Sequence, residues 1–334
     1  GVSVEKIHDL SKIDLWFLHK MRHIIDLEKK LPKSKLERED FLRFKKNGFS
    51  DSRIAKLVKK SEDDMRTLRK KHGVVPVIKQ IDTLAGEFPA QTNYLYLTYH
   101  GTEYDVVPGA HQAAVLGGGP YCIGSSVEFD WSCVQALKSL KKAGYATIMI
   151  NSNPETVSTD YDMSDRLYFD ELSLERVLDI VEFEKPEGVV ISTGGQIPNN
   201  LALKLHKRHV PIFGTSPDDI DRAEDRNIFS KLLDTLEIHQ PGWNELTTLA
   251  SAKKTAAKLG YPVLVRPSYV LSGAAMSVAY DEQSLMKFLK RAVDVSSDHP
   301  VVMSKFIENA REIEIDGVAK DGELVVYALT EHVE

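Results

Sequence analysis

Two cysteines in 334 residues, Cys122 and Cys133, leave no material for a disulfide framework or a cysteine-built metal cluster, and a reducing compartment is the natural setting. No apolar run approaches the roughly 18 residues that a membrane-spanning helix needs, and no charged segment followed by an apolar one opens the chain. Position 1 is Gly1, not methionine, which points to a piece or a processed product of a longer chain, so a missing targeting peptide weighs little. The dinucleotide fingerprint is missing too. Gly117, Gly119 and Gly124 do not fit Gly-x-Gly-x-x-Gly, and Asn151 ends the strand where a ribose-gripping acid would stand, so a nicotinamide-dependent oxidoreductase is disfavoured.

What is present is unevenly charged. The chain carries a formal charge of -6, yet residues 1–90 hold 21 lysines and arginines against 14 acids. This part reads as helical. Leu15 to Leu31 is a helix with Leu15, Leu18, Met21, Ile25 and Leu27 as its buried stripe, and Glu39 to Lys46 is a second. Ser50-Asp51 caps a helix to Lys59, and Ser61-x-x-Asp64 opens another that stops at Gly73. Phe49 to Lys71 has the outline of a DNA-reading helix-turn-helix, with Arg66, Arg69, Lys70 and Lys71 on its second helix; a packing module with a solvated basic face is the favoured reading.

From Ala113 the pattern becomes strand and helix in alternation, as in a parallel sheet: Ala113 to Gly117, Ala146 to Asn151, Gly188 to Ser192 and Val210 to Phe213 as strands, with helices between. The turns Gly117-Gly118-Gly119-Pro120 and Gly194-Gly195-Gln196 follow strands, where such sheets bind ligands beside helix N-termini. Tight-turn geometry explains the glycines equally well. Asn153 to Asp160 is a polar strand-end segment that reads most simply as a hydrogen-bonded turn.

Further on, Val263 to Arg266 and Met276 to Tyr280 read as two strands joined by a loop containing Ser272, Gly273 and Ala274. Small side chains let backbone N–H groups approach anionic oxygens, and Arg266 supplies a charged fork. An ordinary hairpin with a solvent-facing arginine fits the loop equally. Val301 to Ile307 is a strand, Glu312, Glu314 and Asp316 share one face of the next, and Asp321-Gly322 turns into Leu324 to Leu329.

Taken together, Asn153 to Asp162, Gly194-Gly195-Gln196, Gly214-Thr215-Ser216-Pro217, Asp221 to Arg226, Arg266 to Gly273 and Glu331-His332-Val333-Glu334 resemble carbamoyl phosphate synthetase, in particular the second synthetase half of its large component. The basic helical part resembles the oligomerisation domain that precedes that half, and Ile123 to Trp131 resembles the eukaryotic form. The fold implied is α/β, α+β overall: a helical oligomerisation domain at 1–92, a Rossmann-like pre-ATP-grasp domain at 93–222, and an incomplete ATP-grasp domain at 223–334.

The activity implied is ATP-dependent phosphorylation of carbamate to carbamoyl phosphate, within an overall synthesis from bicarbonate, ammonia or glutamine and two ATP. By the resemblance, Arg226 and Arg266 bind phosphates and are the catalytic pair. Ser272, Gly273 and Ala274 form the phosphate-covering loop, Lys305 and Ile307 contact adenine, and Glu312 accepts the ribose hydroxyls. The Mg2+ (or Mn2+) ligands of the family lie beyond Glu334, so no metal is expected in this chain, which alone is expected to be inactive. Cys122 departs from an arginine common in relatives. Expected partners are the remaining synthetase and amidotransferase parts and a second copy through the helical domain, with no membrane and nucleic acid disfavoured. The setting is cytoplasm or mitochondrial matrix, and the pathway pyrimidine, arginine or urea synthesis. A non-catalytic assembly or nucleic-acid-binding module is the alternative.

Overall fold

The computed structural model describes residues 1–31, 35–121, 127–246, 249–267, 276–295 and 301–333, without the side chains of 226, 249, 250, 267 and 290–295, and forms two units, Gly1–Ile220 and Asp221–Glu334.

The first unit opens with five helices, α1 (Val4–Ser11), α2 (Leu15–Lys29), α3 (Arg38–Lys46), α4 (Asp51–Val58) and α5 (Glu62–Lys71). Their starts follow from capping chemistry. The Ser3, Ser50 and Ser61 hydroxyls accept from the backbone N–H three residues on, and Asp64 returns the favour to the Ser61 N–H. Phe41, Phe44, Phe49, Ile54, Met65 and Val74 form the core of this part, each buried large side chain contributing about 1.5–3 kcal/mol.

The expected stripe on α2 is only partly correct. Leu18 and Leu27 are buried, whereas Leu15, Met21 and Ile25 are 38%, 58% and 50% exposed. Leu18 and Leu27 are nine residues apart and so head in opposite directions on a 3.6-residue period. Only Leu27 joins the helical core. The helix thus makes two separate contacts in place of one stripe, and its remaining apolar residues face outward with Trp16 and Phe17.

A seven-stranded sheet follows, in the order β1 (Val77–Gln80), β2 (Tyr94–Thr98), β5 (Arg166–Phe169), β4 (Ala146–Asn151), β3 (Gln112–Leu116), β6 (Gly188–Val190), β7 (Ile212–Phe213). Only β1 and β2 pair antiparallel; the other neighbours are parallel. α6 (Val127–Lys142), α7 (Leu174–Glu184) and α8 (Gln196–His206) connect the strands, and α9 (Pro217–Glu224) spans the division between the units. Both faces of the sheet are covered, which is why β3 reads as a continuous apolar run. Val115 faces Cys133 and Leu137 of α6, while Ala114 and Leu116 join Val177, Ile180 and Leu201 on the other side.

The helix-turn-helix reading fails on the aim of α5. Arg66 and Arg69, two of its four basic residues, point into the protein and pair with Asp179, Glu182 and Asp51.

The second unit contains α10 (Arg226–Thr235), α11 (Leu249–Leu259), α12 (Glu282–Val295) and a four-stranded antiparallel sheet ordered β10 (Ser277–Ala279), β9 (Val263–Pro267), β11 (Val301–Lys305), β8 (Trp243–Leu246). A separate hairpin pairs β12 (Ile313–Lys320) with β13 (Glu323–Glu331) around the Asp321-Gly322 turn. Val263, Val265, Val301, Met303 and Leu246 point to one face of the sheet, where Ala252, Ala256, Leu285 and Leu289 of α11 and α12 cover them. The opposite face carries Glu245, Val302 and Arg266.

Candidate nucleotide and strand-end sites

Register decides which side chains share that second face. Glu245 pairs with Val302, and Val302 with Arg266, so the three form one row across β8, β11 and β9. Cross-strand partners point the same way, so Glu245 and Arg266 lie on the face opposite the helices, two strand spacings or about 10 Å apart. The Asn227 side-chain amide donates to the Glu245 carboxylate. That bond ties the start of α10, and with it the backbone of Arg226, to the same row. Asp225 caps α10 by accepting from the N–H groups of Asn227 and Ile228, both at 2.9 Å. The Arg226 side chain itself lies outside the described residues.

Lys305 falls on the opposite, helix-covered side of the register, paired with Val263. Its ammonium donates to the carbonyls of Gly260 at 3.1 Å and Tyr261 at 2.8 Å, and the Phe306 N–H reaches the Pro262 carbonyl at 3.1 Å. These bonds fix where the connector after β11 begins, and Ile307 on that connector is 58% exposed. Glu312 stands immediately before β12, its carbonyl accepting from the His332 N–H at 3.0 Å. Beside it, the His332 ring meets Glu314 at 2.8 Å and Arg311 makes a two-point pair with Glu331. Ser272, Gly273, Ala274 and Cys122 lie outside the described residues. Glu245 and Asn227 escape sequence reasoning because neither belongs to a motif; their role emerges only from strand register.

The first unit has its own candidate face, at the carboxyl ends of the parallel strands. The chain leaves β3 to one side through α6 and reaches its other side, at β6, through α7, so the order of strands reverses there. Such reversals open a crevice for ligands. Gly118 approaches the Gly194 carbonyl so closely that a Cβ would sit 3.4 Å from it. The Gly119 N–H donates to Asn151 at 3.0 Å. Asp130 of α6 accepts from Val157 at 2.8 Å and Ser158 at 3.2 Å. Residues 153–160 are a hydrogen-bonded turn, with Asn153 capping Glu155 and the Thr156 and Thr159 hydroxyls donating to backbone carbonyls. Cys133 is fully buried against the Thr193 and Leu116 carbonyls, and burial pushes its thiol up to about 12, which removes it as a nucleophile.

Three family models match in succession. Residues 1–73 match the carbamoyl-phosphate synthetase large chain oligomerisation domain, 109–222 the carbamoyl phosphate synthase preATP-grasp domain, and 225–332 the carbamoyl-phosphate synthase L chain ATP binding domain. The chain belongs to the carbamoyl phosphate synthase large-chain family. It is 53% identical over 338 residues to multifunctional protein CAD of Squalus acanthias, covering all of this chain and 15% of that protein. It is 55% identical over 338 residues to the mitochondrial carbamoyl phosphate synthase arginine-specific large chain of Schizosaccharomyces pombe, covering all of this chain and 29% of the relative. The chain thus spans less than a third of the length of either.

In fold it is similar to the biotin carboxylase domain dimer of Hydrogenobacter thermophilus 2-oxoglutarate carboxylase, in complex with MgADP, ADP and bicarbonate. The TM-score is 0.50 at 18% identity, over 61% of this chain and 46% of that one. Among the described residues no helix is long and apolar enough to cross a membrane.

Proposed function

We propose that the second unit binds ATP on the sheet face that carries Arg266, and that the chain is part of the second synthetase half, which phosphorylates carbamate. The observation that carries this is the row Glu245–Val302–Arg266 with the start of α10 anchored to it through Asn227, which supports reading Arg266 and the neighbouring Arg226 as phosphate-binding residues on the side of the sheet away from α11 and α12. The match of residues 225–332 to an ATP binding domain supports it.

In this reading Arg226 and Arg266 hold the phosphates, and Ser272, Gly273 and Ala274 close over them. Lys305 and Ile307 set the adenine connector, and Glu312 takes the ribose hydroxyls. A carbamate oxygen attacks the γ-phosphorus, the bond to the β–γ bridging oxygen breaks, and ADP leaves. The arginines neutralise the charge that builds on the transferred group. Magnesium accompanies the nucleotide in this chemistry. Among the described residues no three His, Cys, Asp or Glu side chains converge as a metal site.

The parent protein would draw on bicarbonate, ammonia or glutamine and two ATP, in the cytoplasm or mitochondrial matrix, with further synthetase and amidotransferase parts as partners. The domain division 1–92, 93–222 and 223–334 belongs to the same proposal, as does self-association through the helical part, where Leu10, Trp16, Phe17 and Met21 are exposed.

The test is ATP formation from carbamoyl phosphate and ADP by the longer protein that contains this chain. Arg266→Ala removes a charge-assisted contact of about 1.5–3 kcal/mol, a roughly 10- to 150-fold loss in rate. An unchanged rate would reject the placement.

A further inference from the structure

The densest buried ion network among the described residues lies inside the first unit. Asp51 and Arg69 are fully buried, and Lys45, Tyr99, Glu175 and Asp179 nearly so. The Arg69 guanidinium donates to both Asp51 oxygens at 2.9 and 3.1 Å and to the Val74 carbonyl at 2.9 Å, with Asp179 at 3.4 Å. Lys45 donates to Asp51 at 3.1 Å and to Glu175. The other Glu175 oxygen takes the Asp51 N–H at 2.6 Å, and the Tyr99 hydroxyl donates to Glu175 at 3.2 Å. Lys45, Arg69 and Arg176 surround the Tyr99 ring at 5.3, 5.6 and 5.7 Å from its centre.

Glu175 is the point where the helical segment grips the sheet layer. It sits in the first turn of α7, and that turn is continuous with a loop held at Asp170, which accepts from the Leu97 N–H at 2.9 Å and pairs with Arg176 at 3.4 Å. Leu172 of this loop lies 3.7 Å from the point where Gly119 would carry a Cβ, and Ile197 closes the other side at 2.9 Å. The glycine-rich turn at the strand ends is therefore seated on a loop whose next helical turn is held by α3 and α4.

We propose that this buried ion network is a conformational joint: through Glu175 and Leu172, the helical segment sets the seat of the Gly119 turn. It links the part matched as an oligomerisation domain to the strand-end face of the first unit, and it does not depend on the ATP reading, which concerns the other unit. Apolar side chains could fill such a space at equal or better stability. A network whose bonds run between α3, α4, α5 and α7 instead admits one arrangement of those helices.

Amide hydrogen exchange on the whole chain tests the joint, in Lys45→Met, in Glu175→Gln and in the double variant. Glu175→Gln keeps the side-chain shape, so it guards against a Lys45→Met chain that does not fold. The Gly119 amide, protected by its bond to Asn151, is expected to exchange at least tenfold faster in each single variant. The double variant should exchange no faster than the worse single one, because both changes break the same link. Faster exchange confined to α3, α4 and α7 with Gly119 unchanged would overturn the proposal, and so would additive effects at Gly119.

Discussion

Replacing Arg69 with methionine isolates what the buried network contributes. The arginine is among the largest fully buried side chains of the described residues, and methionine preserves most of its stem packing while deleting the guanidinium. Lost are two bonds to Asp51, one to the Val74 carbonyl and the longer contact to Asp179. Asp51 keeps Lys45 and Asp179 keeps Arg66, but each is left with fewer donors than it has charge-assisted bonds to fill, and the Val74 carbonyl loses its side-chain donor. Removing one partner of a buried pair costs about 3–5 kcal/mol, because the stranded charge keeps its desolvation penalty. With an m-value of about 3 kcal/mol per molar urea, the unfolding midpoint of the first unit falls by roughly 1–1.7 M. The assay is urea unfolding followed by a probe confined to residues 1–220. Arg22→Met is the control, since the Arg22–Asp26 pair is largely exposed and its loss should leave the midpoint in place. A midpoint shift below about 0.3 M for Arg69→Met would put Arg69 in the range of a surface ion pair and refute the reasoning.

Gly194→Ala would place a Cβ 2.5 Å from the Leu116 carbonyl oxygen and 2.8 Å from that of Gly117, both backbone atoms, so β3 and β6 must part at their carboxyl ends. The expected loss is about 1–3 kcal/mol with faster exchange at Gly117 to Gly119; wild-type stability by urea titration would show that the strand ends have slack. Burial pulls the Glu175 carboxyl upward, but Lys45 and the Asp51 N–H outweigh it and leave it below its ordinary 4.5. A lowered carboxylate stabilises above its unfolded value and loses that contribution as pH falls through the folded one, so the stability gap between wild type and Glu175→Gln should be full at pH 6 and close below pH 4.5. Asp179 acts oppositely: burial raises its carboxyl despite Arg69 and Arg66, so its protonation on acidification relieves a cost. A gap that is constant from pH 6 to 3.5 contradicts this assignment. Trp16→Glu, on the exposed apolar side of α2, should shift sedimentation toward smaller species if that face carries self-association, and an unchanged sedimentation profile rules the face out.

Local signals were legible where one residue or one period decides the outcome. Ser50 and Ser61 mark helix starts, Asp321-Gly322 marks a hairpin, and the apolar runs of β3 and β4 mark strands covered on both faces. The site needed more. Arg266 is visible in the sequence as an arginine at a strand end, but its companions are set by antiparallel register, which links Glu245, Val302 and Arg266 across 21 to 57 residues of chain. Likewise, Leu15, Met21 and Ile25 satisfy a helical period, yet period alone cannot tell a side that faces the core from one left open.

Charge is where the sequence and the structure part most instructively. An excess of lysine and arginine in the first 90 residues, set against an acidic remainder, suggests a solvated basic face. Yet Lys45, Arg66 and Arg69 are turned inward, and Lys70 is paired at the boundary. Their counter-ions include Glu175, Asp179 and Glu182, which come from one side of α7 more than 100 residues later. Part of the asymmetry is thus complementarity between two segments of one folded unit. Where a basic stretch and a distant acidic helix occur in one chain, intramolecular pairing competes with nucleic-acid binding as the explanation. Burial of the cations decides between them, since a phosphate backbone cannot reach an arginine with no exposed surface.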